Sequence, residues 1–515
     1  MLVRFLLTAL LLAVPAQAQS QAQTSRRDTL RVVPETLTRI LDPHFTTSFT
    51  TRDFAYLVFD TLFAMNDRWE PQPQMVESWT RSPDGLVWNF TLRDGLLWHD
   101  GAAVTAEDCV ASLRRWGARD ALGGALLAAT ASLEALDAKT FRLTLREAFG
   151  LVLEALAKPG AMVPMMMPAR LAATPPSTPV TEMVGSGPYR FSTAEYRPGD
   201  RIVLTRNPAY RPRPEPANWA SGGKVARFER VELLAIPDVA TQVAALTTGE
   251  VDYLERVPAE NLPTLERNRA VRVQVTSPTG FQGIMRFNHS AAPFDDVRVR
   301  RAVMLAVNQQ DYLDASAARA EFQRRCLSMF GCGTPLETDA GMPRGPDLTA
   351  ARAALAAAGV DFSRPITILH PGDAPGIAAL GLVSQGLLTQ LGFRVELATM
   401  DLNTWFGRRN RPEGWHLFHT TNTVPDMQSP LQNPFLARGF AGWPDEAVIS
   451  AQRAAFAAAP DAAARRAVAE ELHRRAAEAG FYMPLGQFVA ASAWRAELQG
   501  VLPGPAMFLW NLSRP

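Results

Sequence analysis

The segment "PQPQMVESWTRSPDGLVWNFTLRDGLLWHDGAAVTAEDCVASL", Pro71 to Leu113, decides how the rest of the chain is read. Trp88-Asn89-Phe90-Thr91-Leu92-Arg93 alternates apolar and polar residues with period two, which predicts a half-buried strand. Asp84-Gly85, Asp94-Gly95 and Asp100-Gly101 predict tight turns around it, because glycine tolerates positive φ and aspartate bonds the local backbone. Thr105 followed by Glu107 and Asp108 predicts a helix start, where a side-chain oxygen takes up an orphan N–H and acids suit the dipole. Asp100, Glu107 and Asp108 thus each have a structural task, and His99 has no HExxH or paired-histidine spacing beside it. The segment reads as scaffold rather than as a metal or acid/base site.

Four further blocks follow it along the chain. They are "GSGPYRF" (185–191) with "GDRIVLTRNPAY" (199–210), "ALTTGEVDYLE" (245–255), "RFNHSAAPFDDVRVRRAVMLAVNQQ" (286–310) and "GTPLETDAG" (333–341). In this order the five blocks resemble those of family 5 extracytoplasmic solute-binding proteins, the dipeptide-, oligopeptide- and nickel-binding type that serve ABC importers. The resemblance implies an α/β, two-lobed periplasmic binding protein fold (type II, large) with an extra subdomain inserted in the first lobe. It places lobe I at 19–59, 186–285 and 489–515, the inserted subdomain at 60–185 and lobe II at 286–488, with crossovers near 275–290 and 485–492.

Composition agrees with an exported globular protein. Met1 to Arg4 is a short basic start, Phe5 to Val14 is apolar, and Ala16-Gln17-Ala18 is a cleavage site. Residues 1–18 therefore read as a secretory signal peptide too short to span a bilayer. No cysteine follows the site, and no later stretch is apolar enough for a membrane helix, so a periplasmic, soluble chain is expected. The remainder exceeds the size of one core. A net charge of +1 leaves no basic footprint for nucleic acid. Nothing signals oligomerisation, and a monomer is expected.

Three cysteines make no disulfide framework. Cys326 and Cys332 flank "LSMFG" in a loop where an oxidising compartment would let them pair; the alternative is two reduced thiols. Cys109, in the helix start, reads as a buried free thiol.

Coarse patterning predicts a first strand over 29–33, a helix from Asp53 to Phe63, strands at 201–206 and 229–236, and a helix from Val239 to Thr248. Beyond Asn288, helices at 297–307, 349–358, 378–391, 447–458 and 461–479 alternate with strands "PITILHP", "FRVELATM" and "WHLFHTT". That alternation predicts a lobe with a largely parallel sheet. "FYMPLG" (481–486) reads as a strand returning to the first lobe.

No Ser/His/Asp or Cys/His set assembles, and "GSG" at 185–187 lacks the G-x-S-x-G of a nucleophile elbow. His416 and His419 are three apart, on opposite faces of a strand. His289 reads as a hinge residue satisfied by backbone contacts. A cleft that closes on a peptide must supply an acid for its ammonium and a base for its carboxylate. In peptide-binding relatives an Asp four residues before a proline holds the amino group, and here Asp426 precedes Pro430. This chain departs from them just upstream, with Thr421 to Thr423 where a tryptophan is common. The first loop, "DPHFTTSFTTRD" (42–53), resembles the family's cleft-lining loop and nominates Phe45, Thr46 and Thr47, the alternative being a cap at Asp53. Trp405 and Arg408 are candidates for a stacking plane and a carboxylate partner, against the alternative of a solvated helix face. Thr421 and Asn422 are candidate hydrogen-bonding groups.

The expected function is capture of a small solute, most readily a peptide or peptide-like compound, and its delivery to the transmembrane subunits of an ABC permease, without cofactor or catalysis. The competing readings are an exported hydrolase on a similar frame and a nickel or haem carrier using His416 and His419.

Overall fold

The structure, a computed structural model, describes residues 27–317 and 319–515. The expected signal peptide lies outside the described residues. Thr29–Val33 is buried at every position but Arg31 and runs parallel to both its neighbours, as a strand covered on both faces does. It centres a seven-stranded sheet ordered Tyr189–Phe191, Arg201–Arg206, Arg230–Leu234, Thr29–Val33, Tyr253–Val257, Ala491–Arg495, Val271–Gln274. This is the sheet of lobe I.

Lobe II is built on six strands ordered Gln323–Arg324, Tyr482–Phe488, Phe281–Phe287, Leu417–Thr423, Pro365–Pro371, Arg394–Met400. Its sheet is mixed rather than largely parallel: three of the five pairings are antiparallel. The reason is topological. Phe281–Phe287 brings the chain in from lobe I and Tyr482–Phe488 takes it back, so the two run in opposite directions side by side. "FYMPLG" thus belongs to lobe II, and the return to lobe I comes only after Phe488.

The chain crosses between the sheets at 275–280 and 489–490. The crossovers touch at Gly280, whose φ is +59° and where a Cβ would lie 2.1 Å from the Phe488 carbonyl oxygen. Only glycine fits there. His289 is not at this junction: it follows the far end of Phe281–Phe287, its ring edge-on to Phe481.

The opening segment forms its own antiparallel sheet, Val76–Arg81, Val87–Leu92, Thr140–Leu145, Thr130–Ala135, covered by the helix Ala106–Gly117. Thr105 caps that helix and Asp108 closes a capping box. His99 joins this unit to the GSG loop, accepting the Gly185 N–H at 3.3 Å and bonding the Gly187 carbonyl at 3.1 Å. Burial pushes its imidazole down to about 4, so it stays neutral as a structural staple. Cys109 is buried and free, while Cys326 and Cys332 are disulfide-bonded.

The first helix runs Phe49–Val58, earlier than the pattern predicts. It stops before Phe59 because Asp60–Thr61 is drawn into a two-stranded pairing with Met165–Met166.

Candidate functional site

The helix Phe49–Val58 buries Phe54, Ala55 and Leu57 in lobe I and turns Phe49 and Arg52 toward lobe II. A cavity of about 60 Å³ lies there beside the crossovers, with Phe49, Arg52 and Glu255 on one side and Phe281, Thr423 and Pro425 on the other. Phe49 meets Phe281 edge-on at 6.0 Å.

Its floor is charged. Arg52 Nε donates to Asp53 Oδ1 at 2.9 Å, and both side chains are buried. Arg52 Nη1 and Asp53 Oδ2 have no ordinary hydrogen-bond partner among the described residues. Glu255, on the strand Tyr253–Val257, accepts the Glu35 N–H on its Oε2 at 2.7 Å. Burial, then the neighbouring Asp53 charge, pushes Glu255 up to about 8, so at neutral pH it holds a proton. Asp53 is raised as well, by burial, which Arg52 opposes.

Asp426 spans the lobes. Its Oδ2 accepts the Thr423 hydroxyl at 2.6 Å within lobe II, and its Oδ1 accepts the Ala161 N–H at 2.6 Å from across the cleft. The loop carrying Ala161 is anchored by Lys158, which bonds Asp120 and the Ala161 carbonyl. Arg465 adds a second bridge, donating to Glu154 and to the Gly150 carbonyl, each at 2.9 Å. From Thr423 to Ser429 the chain passes from the first cavity to another of about 510 Å³, where Trp69 and Leu151 face Gln428 and Phe456. Away from bulk water these polar contacts count for more than on an open surface.

The sequence candidates are distributed unevenly around this cleft. Asp426 lies in the closure, and Thr421 and Asn422 are half-buried on the strand leading to it, paired with Gly283 and Gln282. The cavity is lined instead by the following Thr423. Phe45 packs beneath Arg119 at 5.0 Å, Thr46 Oγ1 accepts the Ser48 N–H at 3.2 Å, and Thr47 is exposed. None of the three lines the cavity; Phe49 and Arg52, one helical turn on, do. Asp53 is no cap: it sits inside the helix.

Trp405 is a core residue of lobe II, fully buried with Leu369, Trp415 and Phe418, and offers no surface to a solute. Arg408, on the helix Leu402–Arg409, packs near Gly414 and away from the cavity. The apolar period of that helix turns the indole inward, which outweighs its value as a stacking plane. Sequence reading missed Arg52 and Glu255 because they belong to different elements, a helix and a strand 203 positions apart, and share a cavity only in the folded chain.

His416 and His419 are separated by their own bonds. His416 Nδ1 accepts the Thr367 N–H at 2.9 Å, while His419 Nε2 shares a hydrogen bond with Ser384 Oγ at 2.7 Å. Among the described residues no cluster of three or more His, Cys, Asp or Glu is arranged to hold a metal.

No helix among the described residues is long and apolar enough to cross a membrane. A probable peptide ABC transporter periplasmic-binding protein of Sinorhizobium fredii is 31% identical over 98% of this chain and 96% of its own length. Solved structures share the fold, two of them as follows. An ABC transporter-associated periplasmic binding protein of Helicobacter pylori, in complex with the peptide STSA, superposes with a TM-score of 0.79 at 19% identity, covering 96% of this chain and 99% of that one. A dipeptide binding protein from Pseudoalteromonas, in complex with Met-Leu, gives 0.76 at 20% identity over 95% and 100%. The model of bacterial extracellular solute-binding proteins, family 5 Middle, matches residues 70–442. With two lobes, two touching crossovers and a cleft between them, the chain belongs to the family 5 bacterial extracellular solute-binding proteins.

Proposed function

We propose that this chain is the periplasmic substrate-binding component of an ABC transporter, which captures a peptide or peptide-like solute in the cleft and hands it unaltered to the permease. The observation that carries this reading is the closure itself: Asp426 on lobe II reaches the backbone of Ala161 across the cleft, over a floor of charged groups. A relative named as a peptide-binding transport protein supports the solute class. Micromolar capture needs about 8 kcal/mol of net binding free energy. Burial of apolar surface against Phe49 and Phe281 and one or two charge-assisted hydrogen bonds are of that order.

The lobe limits given by the resemblance belong to the same proposal, with the pivot at 275–280 and 489–490. A solute ammonium that reaches Asp426 has to displace the Ala161 N–H, because both carboxylate oxygens already carry a bond. Export to the periplasm and a monomeric state are part of this reading.

The test is mass spectrometry of whatever co-purifies with protein from the periplasm, followed by calorimetry with the compound found. A bound peptide released intact supports the receptor; consumption of that peptide on incubation would instead indicate a hydrolase.

A further inference from the structure

The cleft walls meet at two places. At one, the Gly150 N–H donates to the Ala457 carbonyl at 2.7 Å, beside the bonds of Arg465 to Glu154 and Gly150. At the other, Asp426 accepts the Ala161 N–H. Where the walls part, the cavity of about 510 Å³ remains, lined by Glu154 and Arg465 of the first contact and by Gln428, two residues from Asp426. A space of that volume is of the size that holds a small organic ligand.

Its walls are largely apolar, with Trp69 and Leu151 on one side and Leu336 and Phe456 on the other. Trp69 is rigidly presented. Its φ of +62° puts a bulky residue in the left-handed region. The turn is maintained by Asn66, whose Oδ1 accepts the N–H groups of Arg68 at 3.0 Å and Glu70 at 2.9 Å. The indole meets Trp219 edge-on at 5.0 Å, which fixes the ring before a ligand arrives.

The polar groups of the lining carry a surplus of one sign. Arg465 is matched by Glu154 at 2.9 Å and Arg68 by Glu70 at 2.7 Å. Arg466 is exposed at the mouth, donates to the Pro335 carbonyl at 2.7 Å, and has no carboxylate partner among the described residues. Gln432 accepts the Ser429 hydroxyl on its Oε1 at 3.4 Å, which leaves its amide nitrogen as a donor. The one carboxylate in the lining, Glu154, is already paired.

We propose that this cavity is a second binding site, for a small amphiphilic acid. An aromatic or branched aliphatic body covers Trp69 and Phe456, and a carboxylate pairs with Arg466. Covering the apolar walls drives binding, and the guanidinium, which can take a carboxylate with two parallel bonds, orients the ligand. A zwitterionic peptide does not suit the site, because its ammonium meets no free carboxylate there. That charge balance separates the cavity from the surroundings of Asp426, and the proposal does not depend on peptide capture at that residue.

The experiment titrates the protein by calorimetry with naphthylacetate, naphthylacetamide and naphthylethylamine, which share a ring and differ in charge. The expected result is one-to-one binding of the acetate, at least about fivefold tighter than either of the others. Arg466→Gln should erase that preference. Ala463→Phe, which fills the cavity from an exposed position on the helix Ala462–Glu478, should abolish binding of all three. Melting temperatures of both variants should match wild type. Equal affinity for the three compounds, a preference that survives in Arg466→Gln, binding that survives in Ala463→Phe, or no binding at all overturns the site. None of these outcomes bears on whether a peptide co-purifies with the protein, so the receptor reading stands or falls separately.

Discussion

The carboxylate of Asp426 accepts the backbone N–H of Ala161 at 2.6 Å, joining residues 265 positions apart on opposite walls of the cleft. The contact depends on the residue before Ala161. A Cβ on Gly160 would lie 2.2 Å from Asp426 Oδ1.

Gly160→Ala is therefore expected to hold the lobes apart. The Gly160 backbone is not in the left-handed region, so alanine suits it locally and the effect is steric. Small-angle scattering should show a larger radius of gyration than wild type under conditions that close the parent. Solute affinity should fall about tenfold, roughly 1.4 kcal/mol.

Asp426→Ala removes the acceptor from both sides of the cleft at once. The Ala161 N–H and the Thr423 hydroxyl lose their partner, at a cost of about 1–3 kcal/mol to the closed form. Calorimetry with the natural solute should show weaker binding, while the melting temperature of the open form changes little. Unaltered affinity would remove Asp426 from the mechanism of closure.

Breaking the Cys326–Cys332 bridge should lower stability without touching the cleft. The closed loop has a sequence separation of 6, for which chain entropy gives about 2 kcal/mol. Gln309 and Gln487 still hold the Cys326 and Cys332 N–H groups, each at 2.9 Å. A double serine variant should show a lower urea midpoint and an unchanged affinity.

Acid should weaken the fold through its buried histidines. Burial is the main cause that pushes His44 down to about 4, His419 to about 3 and His289 to about 2, against 6.5 when exposed. In this range the unfolded chain binds protons that the folded chain refuses. The contribution is thus complete above pH 6.5 and shrinks as pH falls toward the folded values. At pH 5 the loss from His419 alone is about 2 kcal/mol. Urea midpoints at pH 7 and pH 5 measure it, and His419→Gln should flatten that dependence.

Local pattern carried the elements with strong periodicity. The alternation of Trp88 to Arg93, the cap at Thr105 and the helix from Val239 to Thr248 depend on neighbours in the chain, and they stand where local physics puts them. The resemblance carried the two lobes. Helix limits near residue 53 were harder to read, because a distant strand, Met165–Met166, sets where the helix ends. So was the direction of strands in lobe II, which follows from where the chain enters and leaves.

By itself the sequence determined the scaffold of this protein: its turns, caps, apolar faces and block order act over a few residues. Only the tertiary structure decided the cleft. Trp405 went to the core because lobe II had apolar surface to bury, while Arg52 on a helix and Glu255 on a strand, far apart in the chain, came to line one cavity floor. Burial and proximity set the protonation of that floor, and neither is a property of any short stretch of chain.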